Sequence, residues 1–146
     1  MPDKKEVVIF ACQQAVPSPE ALKSRLEGHD LLVRIVSQPC SGKVEAYQLL
    51  RALAAPADLV WVFGCREDLC QYREGSHRLG GRLLYTQRYL EEIGLEAERL
   101  GRTVVIPGDE AELAAGLKEI RARLKTLGPS PLRRRSQPAA ASKTAP

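Results

Sequence analysis

The chain has 146 residues, 44% of them hydrophobic, enough for one domain whose core needs no cross-links. Its net charge of +4 comes from its end: Arg133, Arg134, Arg135 and Lys143 lie in the last 18 residues, which hold no acid, so 22 basic residues less these four match the 18 acidic ones. A neutral folded part with a short basic tail, no aromatic residue in that tail and no recognised binding motif before it exclude nucleic acid as the expected partner. No apolar run approaches the ~18 residues of a membrane span, and the opening residues lead directly into a strand-like run rather than a signal segment. A cytoplasmic protein without membrane insertion is therefore expected, with its thiols kept reduced.

In chain order, residues 6–11 read as the first strand. Ser18 then has the character of a helix N-cap, with Pro19 at the first helical position, Glu20 in the first turn, Leu22 and Leu26 on one buried face, and Gly28 as the stop. Residues 31–36 form a second strand-like run. After Pro39-Cys40-Ser41-Gly42 a second helix is expected to turn Val44, Tyr47, Leu50 and Leu53 inward, stopping at Ala55-Pro56. Residues 59–63 give a third strand, with Trp61 and Phe63 as core residues, and residues 64–78 form a loop long enough to suggest a function. The pattern predicts a third helix over 79–93 with Leu83, Leu90 and Ile93 inward, then a fourth strand over 103–106. Asp109 followed by Glu112 has the form of a capping box, and Leu113, Leu117, Ile120, Leu124 and Leu127 keep a helical stripe. The domain is expected over 1–128. Residues 129–146, rich in Pro, Ala, Ser and Arg, are expected to form a disordered basic tail.

Strands that alternate with helices and are apolar on both faces imply an α/β fold: a small flavodoxin-like three-layer sandwich with a four-stranded parallel sheet. The commonest order for this pattern is 2-1-3-4, and ligands of such sheets bind outside the strands' carboxyl ends near the topological switch. Strands two, one and three would be neighbours there. They are also the three that run into cysteine: Cys12 after the first, Cys40 after the second, Cys65 and Cys70 after the third. Four thiols are thereby expected in one crevice.

Four thiolates supply the ligand set of a 2Fe-2S cluster, and a Cys-x4-Cys pair with two more distant cysteines is loop-borne spacing of the kind such clusters use. Helices expected just after Cys12 and Cys40 would present their positive ends to the thiols, and Gly42, Gly64 and Gly75 would admit backbone close to inorganic sulfur. Three other readings stay open. The cysteines could be small buried hydrophobes, ligands of a structural zinc with four cysteines, or partners in a thiol-disulfide switch between Cys65 and Cys70. A phosphatase loop would need arginine six residues after a cysteine, where Ser18, Ala46 and Gln71 stand, and Gln13 to Pro17 lack the small hydroxyl residues of a flavin-phosphate cradle. His29 and His77 have no evident catalytic partner, and Arg66, Arg73 and Arg78 read as solvated loop residues.

Phe-Ala-Cys at 10–12, Pro-Cys-Ser-Gly at 39–42 and Gly-Cys-x4-Cys-x-Tyr-Arg-Glu-Gly at 64–75 together resemble the delta subunit of methyl-viologen-reducing hydrogenase, over about residues 5–125. The resemblance implies a subunit that carries a 2Fe-2S cluster and passes electrons between a donor module, such as a hydrogenase, and a flavin-containing heterodisulfide reductase A-like subunit. Cys12, Cys40, Cys65 and Cys70 would then hold the cluster. The chain departs from the family pattern where a further cysteine is usual, at Ala15, and where His and Asn are favoured, at Gln71 and Ser76. Four of five cysteines remain, enough for one cluster if the missing thiol is not a ligand. The alternative is a cluster-less scaffold that joins larger subunits of the same kind of complex.

Overall fold

The computed structural model describes residues 5–27, 31–55, 57–66, 75–107 and 109–131. Four strands, β1 (Lys5–Cys12), β2 (Leu31–Gln38), β3 (Leu59–Cys65) and β4 (Leu100–Val105), alternate with four helices, α1 (Pro19–Leu26), α2 (Ala46–Ala54), α3 (Gly75–Glu92) and α4 (Glu110–Thr126). The strands are parallel and lie in the order β2-β1-β3-β4, as expected. Alternation sends Val7, Ile9, Trp61 and Phe63 to one side of the sheet, against Leu22 and Leu26 of α1 and the stripe of α4. Val8, Phe10, Val60 and Val62 go to the other side, against Leu49 and Leu53 of α2 and Leu79, Leu83 and Leu90 of α3. The result is the expected three-layer sandwich, with dry packing on both faces of the two central strands.

Local chemistry explains most boundaries. Ser18 accepts the Ala21 N–H at 3.4 Å and Pro19 opens α1. Asp109 caps α4 by accepting the Glu112 N–H at 3.1 Å, but the reciprocal bond differs from a simple capping box: the Glu112 carboxylate reaches past the cap to the Ile106 N–H, at 2.6 Å. The helical stripe from Leu113 to Leu127 is buried throughout.

Three expectations are corrected. In α2 the buried residues are Leu49 and Leu53, while Tyr47 is 63% exposed and Leu50 only partly buried. Val44 is buried but lies before the helix, which starts at Ala46 after Glu45, so a stripe counted from Val44 has the wrong phase. Helix α3 starts at Gly75 rather than at 79, which shortens the loop after β3, and its inward stripe ends at Leu90; Ile93, past the helix end, is 52% exposed. Strand β4 begins three residues earlier than expected, at Leu100, and a 3-10 turn at Ala97–Arg99 leads into it. Gly101 and Arg102 hide that start because neither is a β-former. Gly28, Pro56, His29, Arg73, Cys70 and residues 132–146 lie outside the described residues.

A polar network closes the strands' amino ends. Asp58 accepts the N–H groups of Glu6 and Ser130 at 2.9 and 2.8 Å, so the chain stays docked on the sheet as far as Ser130. Arg99, 1% exposed, donates to the carbonyls of Asp58 and Gly128, each at 3.0 Å, and to the Glu96 carboxylate at 2.7 Å. That bond from Arg99 holds the Glu96 carboxyl below its ordinary value of 4.5, so its contribution to stability is present above 4.5 and is lost as pH falls through the lowered value. Because the Glu96 side chain is 51% exposed, Glu96→Gln should cost well under ~1 kcal/mol at neutral pH. Urea unfolding should show that small difference shrinking when repeated well below pH 4.5.

Trp61 presses its benzo ring against Gly101: a Cβ there would stand 2.5 Å from Cζ3 and 2.7 Å from Cη2. Its indole N–H donates to Thr103 Oγ1 at 2.8 Å, and the Arg123 guanidinium covers the ring at 4.9 Å from its centroid. The ring has no room to retreat. Gly101→Ala should therefore destabilise the fold by roughly 1–3 kcal/mol through overpacking, read as a lower urea midpoint with unchanged slope.

Candidate functional site

The carboxyl ends of β1 and β3 are adjacent because those strands pair in register from Val7↔Leu59 to Ala11↔Phe63. Cys12 is the last residue of β1 and Cys65 the last of β3, two residues beyond the expected strand end, where it pairs with Val105. Strict alternation would send Cys12 with Val8 and Phe10 to the face opposite Cys65. Instead the chain turns at once, with Ala15 and Val16 donating to the Cys12 carbonyl at 3.0 and 2.9 Å, and Cys12 joins the apolar cluster that contains Cys65. The two sulfurs stand 3.7 Å apart, both side chains almost wholly buried.

That separation has chemical meaning. Two thiolates bound to one tetrahedral metal at ~2.3 Å span a chord of about 3.8 Å, so this pair needs little movement to share an ion. Cys12 Sγ also lies 3.9 Å from the Pro39 carbonyl, which places the Pro39-Cys40 backbone beside the pair.

Cys40 is delivered by a 3-10 turn, Ser41–Lys43, which it caps: its sulfur accepts the Gly42 N–H at 3.3 Å. Two contacts fix this turn. Gly64 leaves space for Ser41, since a Cβ on residue 64 would sit 2.9 Å from Ser41 Oγ and 3.2 Å from Ser41 Cβ. From the other side Arg82 of α3 donates to the carbonyls of Gly42 and Val44 and lies 3.9 Å from the Glu45 carboxylate. Ser41 is 1% exposed, and its hydroxyl has no hydrogen-bond partner among the described residues. Such an orphan is uncommon in a folded protein and marks a place where a missing group would find a donor.

Of the four expected cysteines, the structure brings Cys12 and Cys65 into contact and sets the Cys40 turn against the end of β3; Cys70 lies outside the described residues. Among the described residues no group of three His, Cys, Asp or Glu side chains is arranged to hold a metal. The helix placement expected from sequence is corrected: α1 starts seven residues after Cys12 and α2 six after Cys40, so neither helix end abuts a thiol. Ala15 is fully buried in the cluster with Cys12 and Cys65, so a methyl occupies the wall of the site at that position. Two sulfurs from neighbouring strand ends, 3.7 Å apart, are donors of the kind a thiolate-bound metal takes.

Sequence reasoning missed Ser41 and Arg82. Ser41 followed a cysteine in a turn and read as turn chemistry, and Arg82 sits in a helix with no signal of what it clamps. His77 is exposed on α3. An open groove at the β2 edge, floored by Phe10 and Val36 and rimmed by Arg34, Tyr47 and Arg51, lies apart from the thiols.

Gly64→Ala should push Ser41 off the end of β3 and loosen the Cys40 turn. The expected outcome is a loss of about 1–2 kcal/mol in denaturant unfolding and faster reaction of the Cys40 thiol with a maleimide, read by peptide mapping of the modified protein.

Comparisons with known proteins identify the family. The family described as methyl-viologen-reducing hydrogenase, delta subunit, matches residues 7–128. The vhu iron-sulfur D subunit of the F420-non-reducing hydrogenase of Methanocaldococcus jannaschii is 30% identical over 129 residues, 87% of this chain and 96% of that protein. Its counterpart in Methanopyrus kandleri is 31% identical over 130 residues, 88% of this chain and 98% of that one. A segment of the A subunit of the ferredoxin/F420H2-dependent CoB-CoM heterodisulfide reductase of Methanosarcina acetivorans is 35% identical over 98 residues, which is 66% of this chain but 12% of that longer protein. With a match that spans both strand-end motifs and the whole helical scaffold, the chain belongs to the methyl-viologen-reducing hydrogenase delta subunit family.

Proposed function

We propose that this protein is an electron-transfer subunit that holds one 2Fe-2S cluster through Cys12, Cys40, Cys65 and Cys70 and serves a larger flavin and iron-sulfur complex. The observation that carries the reading is the Cys12 to Cys65 separation of 3.7 Å at the ligand-binding end of a parallel sheet. Relatives named as iron-sulfur subunits support the cofactor. The likeness to a segment of the heterodisulfide reductase A subunit supports an electron acceptor of that flavin-containing kind. A hydrogenase or another donor module would stand on the other side. The cytoplasm is the proposed setting, and no described helix is long and apolar enough to cross a membrane. Residues 1–128 would form the cluster domain, with the basic tail outside it.

When bound, such a cluster accepts and releases one electron at a time without making or breaking bonds in a substrate. The chain's own residues then have simple tasks. Cys12 and Cys65 would supply two thiolates from rigid strand ends, Cys40 a third from a turn clamped by Arg82, and Cys70 a fourth from the segment between β3 and α3. The Gly42 N–H offsets charge on the Cys40 sulfur. Ala15, Val16 and Val105 keep the wall dry.

A cluster-less scaffold is the rival reading. What favours it is that Cys12, Cys40 and Cys65 are all buried like small hydrophobic residues and that Ala15 already packs as one.

Protein purified without oxygen should contain two irons and two sulfides per chain and give, once reduced with dithionite, the paramagnetic signal of a one-electron-reduced cluster. Metal-free protein with an intact fold would sink the relay. Cys65→Ser in the assembled complex separates the two readings: a relay should lose turnover at least tenfold, whereas a scaffold should keep both assembly and turnover.

A further inference from the structure

We propose that Cys12 and Cys65 of the metal-free protein form a modification site: a peroxide closes them to a disulfide across β1 and β3, and the bond shuts the site to a metal until it is reduced. The two sulfurs stand 3.7 Å apart, in contact, and neither is cross-linked. The backbone beneath them suits the bond. Strands β1 and β3 pair in parallel as far as Ala11↔Phe63, so Cys12 comes next opposite Gly64, and Cys65 stands one residue further along. A strand spacing of about 4.8 Å with an offset of one residue, about 3.3 Å, sets the two Cα atoms about 5.8 Å apart, the separation that disulfides most often bridge. Both side chains belong to one apolar cluster on one side of the sheet, so rotation of side chains brings the sulfurs to a bonding distance of about 2.0 Å while the strands stay paired.

The two residues are 3% and 2% exposed, so the oxidant that suits them is small and uncharged, which hydrogen peroxide is. One thiol sulfur attacks a peroxide oxygen: an S–O bond forms as the O–O bond breaks, the sulfur becomes a sulfenic acid, and the hydroxide released takes the thiol proton and leaves as water. The second sulfur then displaces the hydroxyl from the first, which forms the S–S bond and releases a second water. Two thiols are oxidised by two electrons in all, and one peroxide is reduced to two waters. Because the second step joins atoms already in contact, it outruns further oxidation of the sulfenic acid. The bond removes two thiolate donors at once, since a disulfide sulfur is no longer a thiolate. It also ties together residues 53 apart in sequence, which restricts the unfolded chain and stabilises the fold. The cross-link itself stands without the cluster reading above, whereas its effect on metal loading rests on that reading.

The test uses the full chain, stripped of metal by a chelator in the presence of a reductant and then freed of both, before and after treatment with excess hydrogen peroxide. Trypsin places each cysteine on its own peptide: 6–23 carries Cys12, 35–43 Cys40, 52–66 Cys65 and 67–73 Cys70. Peptides 6–23 and 52–66 should run separately before peroxide and as one reducible species after it. The oxidised protein should unfold at a urea midpoint about 1–2 M higher. Cys40→Ser should keep the link, and Cys12→Ser should lose both the link and the rise in midpoint. Offered iron and sulfide, the oxidised protein should take up roughly tenfold less than the reduced one, and dithiothreitol should restore the uptake. A Cys65 peptide joined to that of Cys40 or Cys70, or peptides 6–23 and 52–66 that still carry thiols after peroxide, overturns the proposal, as does full uptake by cross-linked protein. Reduced protein that takes up no iron or sulfide sinks the cluster reading alone, and the peptide map still decides the cross-link.

Discussion

The close approach of Ser41 to Gly64 is the contact on which the thiol end of the molecule depends. A β-strand residue with a side chain at position 64 would hold the turn after β2 away from the end of β3, since its Cβ would fall within 2.9 Å of the serine oxygen. With glycine there, the turn that carries Cys40 folds over the strand that ends in Cys65, while β1, paired to β3, brings Cys12 to the same place. Strand pairing joins Cys12 to Cys65, and the missing side chain at position 64 lets the Cys40 turn close over the strand end. Arg82 then holds the turn from the helix side through two carbonyls, so the arrangement is braced on both flanks.

The two ends of the sheet divide the work. Both faces of β1 and β3 are covered by helices, so polar chemistry is possible only where strands start and stop. At the amino ends, Asp58 and Arg99 are spent on backbone: they accept from and donate to chain segments that would otherwise leave buried N–H and carbonyl groups unmatched. Lys5 adds to this by donating to the Leu124 and Leu127 carbonyls at the end of α4. That end is saturated. At the carboxyl ends the buried polar groups are instead the Cys12, Cys40 and Cys65 thiols and the Ser41 hydroxyl, side chains able to meet a ligand rather than to close the fold.

Most of the fold was legible because its signals are strong and local. Runs such as Val60 to Phe63 are apolar at every position, which marks a strand covered on both faces, and the alternation with capped helices leaves few ways to order a parallel sheet. The failures have particular causes. The phase of α2 was lost at Glu45, where the Gln48 side chain accepts the N–H of the cap residue and starts the helix two residues later than Val44 would. The start of β4 was hidden by Gly101, required by the Trp61 ring above it rather than by strand propensity. At the site, the convergence of Cys12 and Cys65 was read from topology, but alternation argues against their sharing a face. Only the turn immediately after Cys12 reconciles the two, and nothing in Gln13 and Gln14 announces it.

Ala15 and Ser41 differ by one oxygen and both are buried, but on different faces of the sheet: Ala15 lies in the cluster with Cys12 and Cys65, whereas Ser41 rests over Gly64, which alternation turns to the other side. On the β1 side the methyl of Ala15 packs with Val16 and Cys12 in an apolar cluster, so that wall can neither donate to nor stabilise negative charge. On the side of the turn after β2, a backbone N–H and a hydroxyl stand next to Cys40. Replacement of Cys40 would remove both a sulfur and the acceptor that caps its turn through the Gly42 N–H. Position 15, by contrast, is filled by apolar packing alone.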